Sequence, residues 1–85
     1  MTEQEFGVVY MVAKSNWDNN RDIAEPMLKD MALFNIKHYG YEPVGAIQIE
    51  EYKYFKIVEH QETQEVPRED ANTIEMKITA TVKPI

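Results

Sequence analysis

The chain has 85 residues, 44% of them apolar and 28% charged, a globular composition with room for one hydrophobic core, so a single domain over residues 1–85 is expected. With no cysteine, neither a disulfide framework nor a thiolate zinc site can form. A net charge of −6 repels phosphate backbones and anionic lipids alike, which argues against direct binding of nucleic acid or membrane.

The first residues, Met1-Thr2-Glu3-Gln4-Glu5, are acidic where a signal peptide would be basic. No apolar run approaches the roughly 20 residues that span a bilayer, and a cytoplasmic setting is expected. Phe6 to Ala13 reads as a strand dominated by Val8, Val9, Tyr10, Met11 and Val12. Both of its pleat faces are apolar, the pattern of a strand covered on both sides. The polar stretch Lys14 to Asp22 follows, and its Asn and Asp residues favour turns and caps, so a loop leading into a helix is expected there.

Asp22 and Glu25 have the spacing of a capping box, and Pro26 is expected in the first helical turn, where a missing N–H costs little. On a 3.6-residue wheel, Ile23, Ala24, Met27, Leu28, Met31, Phe34 and His38 share one arc, with Glu25, Lys29, Asp30 and Lys37 opposite. This is an amphipathic helix with a wide core stripe. It should end at Tyr39, because Gly40 can take the left-handed cap conformation and Pro43 forbids continuation. The same cap would bring Tyr41 onto Ile36, which sits off the core arc. Leu33 stands on the polar side without a core role and is counted as a contact residue.

Val44 to Glu59 is rich in β-branched and aromatic residues. At roughly 3.3 Å per residue a single straight strand of this length exceeds the ordinary range, so a bend or bulge is expected at Glu50-Glu51. Ile47, Ile49, Phe55 and Ile57 would share one face, and Ala46, Tyr52, Tyr54 and Val58 the other. Next, Glu59, Glu62, Glu65, Glu69 and Asp70 surround a lone Arg68, which reads as a mobile acidic loop around 59–72. The last strand alternates cleanly, with Ile74, Met76, Ile78, Ala80 and Val82 on a dry face and Glu75, Lys77, Thr79, Thr81 and Lys83 on a wet one. The fold class is α+β in the order β-α-β-β: one amphipathic helix packed on a small, twisted, mostly antiparallel sheet whose second strand is long and bent.

Catalytic chemistry has no motif to stand on. Ser15 is the only serine and lies in no nucleophile-elbow pattern, and Gly7, Gly40 and Gly45 cannot write a phosphate loop or a dinucleotide fingerprint. His38 and His60 sit in no ligand spacing, and a cluster of Glu59, His60 and Glu62 is more simply a hydrated loop than a cation site. No catalytic residue, cofactor or metal is expected. Glu50 and Glu51 point to opposite faces of a strand and cannot act as an acid/base pair.

Recognition is the better-supported role. Trp17 beside Arg21 at a helix start has hot-spot composition, against which stands a plainer reading in which Trp17 plugs the core and Arg21 pairs with Asp18 or Asp22. Tyr52 and Tyr54 would share a strand face with Tyr10 from the neighbouring strand. One helix shelters about two strands on one face, so two strands apolar on both faces imply an exposed patch. The expected function is a non-enzymatic protein–protein interaction module, a homo-oligomeric accessory or regulatory protein joined through the open sheet face or a strand edge. Tyr10, Trp17, Arg21, Leu33, Tyr52 and Tyr54 would make the contact. One alternative is an acidic phage- or virus-encoded decoy that blocks a nucleic-acid-binding protein, which the interleaving of Lys and Arg among the acids weakens. Another is a small anion- or ligand-binding fold using the helix N-terminus, Arg21 and His38.

Overall fold

The structure, a computed structural model, describes residues 2–85, so Met1 lies outside the described residues. Strand β1 (Gln4–Ala13) runs straight into a short helix α1 (Lys14–Asn19), and Asn20 separates it from the long helix α2 (Arg21–His38). The chain returns as β2 (Tyr41–Lys56), then as a two-residue strand β3 (Gln64–Glu65), a 3-10 turn (Arg68–Asp70) and β4 (Thr73–Pro84). All pairings are antiparallel and the strand order is β1-β4-β2-β3. The α+β class and the hairpin of the last two long strands are as the sequence implies.

β4 occupies the centre, and its alternation decides which face is core. Ile74, Met76, Ile78 and Val82 are almost wholly inaccessible, while Glu75, Lys77 and Thr79 line the opposite face. Helix α2 covers that inner face with Leu28, Ala32 and Ile36. The helix ends where expected: Gly40 has φ +84°, its N–H donates to the Lys37 carbonyl at 3.0 Å, and Tyr41 packs against the cluster that holds Ile36. Only glycine takes that backbone angle without strain.

Four local expectations are corrected. The polar stretch read as a loop contains α1, because Trp17 is buried among Leu28, Ala32 and Ile74 and that burial outweighs the weak helix propensity of its Asn and Asp neighbours. Pro26 lies six residues into α2 rather than in its first turn, and no capping side-chain hydrogen bond forms at its start. β2 is the one long, bent strand expected, with a bulge between Glu51 and Lys53 next to the expected Glu50-Glu51, but it runs Tyr41–Lys56 rather than Val44 to Glu59 and has a further irregularity between Val44 and Gln48 around Gly45. The bulge after Glu51 inserts Tyr52, which flips the pleat: Tyr54 sits opposite buried Ile74 on the inner face, and Phe55 opposite Thr73 on the outer. An extra residue in one strand exchanges the faces of everything beyond it.

The fourth correction concerns the helix. Of the predicted arc only Ala24 and Leu28 meet the sheet, joined there by Ala32 and Ile36 from beside it, while Ile23, Met27, Met31 and Phe34 are left 60%, 57%, 42% and 73% exposed. His38 is exposed as well. α2 lies mainly against β2, less against β4 and least against β1. A helix set off-centre roofs the middle of the sheet and leaves one edge strand uncovered.

Residues 57–72 fold back along β2. β3 pairs with Phe55 and Lys56, and His60 takes a left-handed turn conformation. Asn72 acts as a side-chain strand: its Oδ1 accepts from the Ile57 N–H at 3.0 Å while its Nδ2 donates to the Ile57 carbonyl at 2.7 Å. The Asn72 carbonyl also accepts from the first N–H of α1, tying the loop exit to the helix.

Candidate functional site

Two features stand out from the folded chain, a polar knot and an apolar groove. The knot centres on Glu51, whose carboxylate is aimed inward by the pleat opposite Met76. One oxygen accepts from Arg68 Nε at 2.8 Å and the Tyr54 hydroxyl at 2.9 Å, and the other from Trp17 Nε1 at 3.1 Å and Arg68 Nη2 at 3.2 Å. Arg68 Nη2 also pairs with Asp18 at 2.7 Å, and Lys14 Nζ donates to the Arg68 carbonyl at 2.8 Å. The Arg68 hydrogen bond, reinforced by those from Tyr54 and Trp17, holds the Glu51 carboxyl at about 2, below the ordinary carboxylate range and against the opposing cost of burial. Hydrogen bonding to that carboxylate raises the Tyr54 hydroxyl in turn.

A perturbed carboxylate is a reason to look for chemistry. Here every polar group is already paired with another part of the chain, and no buried side-chain polar atom among the described residues lacks a partner. What the knot does is mechanical: it fastens the 57–72 segment and α1 to β2.

The groove lies on the other flank. Its floor is the inner face of β1, with Phe6, Val8, Tyr10 and Val12 only half-buried because α2 stands away from them. Its wall is the exposed stripe of α2. A depression of about 310 Å³ bounded by Tyr10, Val12, Ala24, Met27, Leu28 and Met31 opens at one end. It passes by Met31, Phe34 and Asn35 to a second hollow at Phe6, Val8 and Tyr39. The first depression and the passage are mostly apolar, with Asn16, Asp30 and Asn35 as their polar members, while the second hollow is as polar as it is apolar; the Asn35 side-chain amide donates to the Tyr10 hydroxyl. β1 forms one edge of the sheet, and no strand among the described residues pairs with its outer side.

The predicted contact residues do not converge. Trp17 is the core plug, with the Arg21 guanidinium stacked 4.4 Å from its ring centroid. Tyr54 points inward to Glu51, whereas Tyr52 lies on the outer face beside Lys53 and Lys77, so the shared tyrosine surface does not exist. Leu33 is half-buried, and Tyr10 alone of the set reaches the groove.

The outer sheet face is not the greasy surface the strand patterns imply. Its centre carries Glu75, Lys77 and Thr79 next to Glu50 and Gln48, with Val9 and Met11 exposed only along β1. Sequence reasoning placed Met27, Met31 and Phe34 in the core and left Glu51 and Arg68 without a role. The available signal was that Ile36 falls off the arc, since a helix whose deepest residue lies beside its apolar stripe must leave part of that stripe outside.

No cluster of ligating side chains able to hold a metal occurs among the described residues, and no helix there is long and apolar enough to cross a membrane. No family model, curated protein or solved structure matches the chain.

Proposed function

We propose that the chain is a non-enzymatic protein–protein interaction module whose working surface is the flank formed by β1 and α2. The observation that carries this reading is the stripe Ile23, Met27, Met31 and Phe34, apolar and exposed beside a strand whose outer edge no other strand pairs among the described residues. Four large apolar residues in a row on a helix form a contiguous patch, and the largest apolar patch on a domain, typically about 300–600 Å², is often its functional surface. Methionine suits a surface that must adapt to a partner, because its unbranched thioether repacks easily. The sequence-based proposal of an interaction module is thereby kept, but its surface moves from the tyrosines and Trp17 to the groove.

The test is photo-crosslinking in producing cells with Phe34→p-benzoylphenylalanine, against the same replacement at exposed Glu65 as control. The expected result is protein adducts at position 34 well above those at position 65. Equal yields at the two positions would end the proposal.

A further inference from the structure

We infer that the occupant of this flank is a second copy of the chain, joined edge to edge through β1 about a two-fold axis at Val9; the inference rests on the docking reading above. Among the described residues β1 presents an unpaired edge ten residues long, and from Phe6 to Ala13 it has no charge, no proline and no bulge. Those are the devices by which edge strands normally refuse partners, so this edge is built to accept a strand.

The chain's own β1 fits that requirement. In an antiparallel pair, facing residues point to the same side of the sheet, so a two-fold axis must pass through a residue and not between residues. With the axis at Val9, residues 5 to 13 of the two copies overlap completely. On the inner face Val8 meets Tyr10 of the second copy and Phe6 meets Val12, so the half-buried floors of two grooves become one continuous floor. On the outer face Val9 meets itself and Met11 lies over Gly7, the one strand position without a side chain. Glu5 faces Ala13, so no like charges oppose each other.

Val9 and Met11 with the stripe of α2 expose on the order of 600 Å² per copy, of which an edge-to-edge seam covers the part nearest β1, so the contact is smaller than the roughly 800 Å² per partner of a standard interface and the dimer is a weak one. The contact is isologous, so the dimer closes and does not propagate. The product is one sheet running through both copies, with the two α2 stripes flanking the joined floor of β1 strands on one face.

Because the chain has no cysteine, single substitutions report the register directly. Across the axis, Val9 faces itself within the range that a disulfide spans, whereas the two Met11 residues are about 14 Å apart. The purified 85-residue chain is expected to sediment as a dimer at tens of micromolar. Under mild oxidation Val9→Cys should form a disulfide-linked dimer far faster than Met11→Cys or Glu65→Cys. Met31→Glu should weaken association by about 30-fold or more with an unchanged circular dichroism spectrum, as for an interface hot spot. A monomer persisting to about 300 µM, or Met11→Cys linking as fast as Val9→Cys, overturns the inference. Crosslinked adducts at position 34 that contain only other proteins would also remove the second copy while leaving the docking surface standing.

Discussion

The pairing of Glu51 with Arg68 makes acid stability the most direct test of how the fold is held. The folded carboxyl titrates at about 2 against an ordinary 4.5, so the unfolded chain binds the extra proton between those values. Stability from this group is therefore complete above about pH 5, falls as the pH drops through that window, and is gone below about 2. At 1.36 kcal/mol per pH unit the full difference corresponds to roughly 3 kcal/mol. Glu51 is 24% exposed and Arg68 38%, so solvent screening brings the contribution to about 1–2 kcal/mol. Glu51→Gln keeps the shape but not the charge. Urea titrations at pH 7 and pH 2.5 should show the variant less stable at pH 7 by that amount, corresponding to roughly 4–15 °C in melting temperature. At pH 2.5 the gap should have largely closed. Equal losses at both pH values would show that Glu51 stabilises through packing alone and would refute the ion-pair argument. Arg68→Met should raise the Glu51 carboxyl back toward its ordinary value, as read by carbon NMR of the side chain.

Further substitutions test the rotation of α2 and its cap. Ile36→Ala should cost about 2–5 kcal/mol by opening a cavity in the core, whereas Phe34→Ala should cost no more than about 0.5 kcal/mol as an exposed position, both measured by urea unfolding at low protein concentration; the reverse order would place the other stripe on the sheet. Gly40→Ala meets no atom within 4 Å, so its cost is the left-handed backbone alone, about 1–2 kcal/mol by the same assay; an unchanged midpoint would mean the cap relaxes.

How far the fold was legible depends on whether the governing force was local. β4 was read correctly because strict alternation of large apolar and polar residues has one interpretation, and the helix end because Gly40 and Pro43 act within one turn. The bend of β2 near Glu50-Glu51 was legible from its length, but its faces were misassigned because the bulge inserts a single residue, Tyr52, which exchanges the two sides beyond it, and no propensity separates such a bulge from a bend that keeps the faces. α1 was missed because its cause is the burial of Trp17 against residues more than 50 positions away in β4. Arg68 looked like a stray cation in an acidic loop, since its partners Glu51 and Asp18 lie 17 and 50 residues distant in sequence.

The knot and the groove are two consequences of one placement. A helix with two adjacent apolar stripes can set only one on a flat sheet, and the wheel alone does not choose between them. Trp17 decides the matter, because its indole N–H is held by Glu51 of β2 while α1 is fastened by Lys14 to the Arg68 and Asn72 carbonyls. Those ties draw the start of α2 to the β2 side of the sheet and away from β1. Had the helix been centred over β1 and β4, Met27 and Met31 would meet the sheet and the groove would close. The chain instead fixes its helix off-centre with its most strongly perturbed carboxylate, and the side it leaves open is the one where an uncharged strand edge and an apolar helix stripe run together.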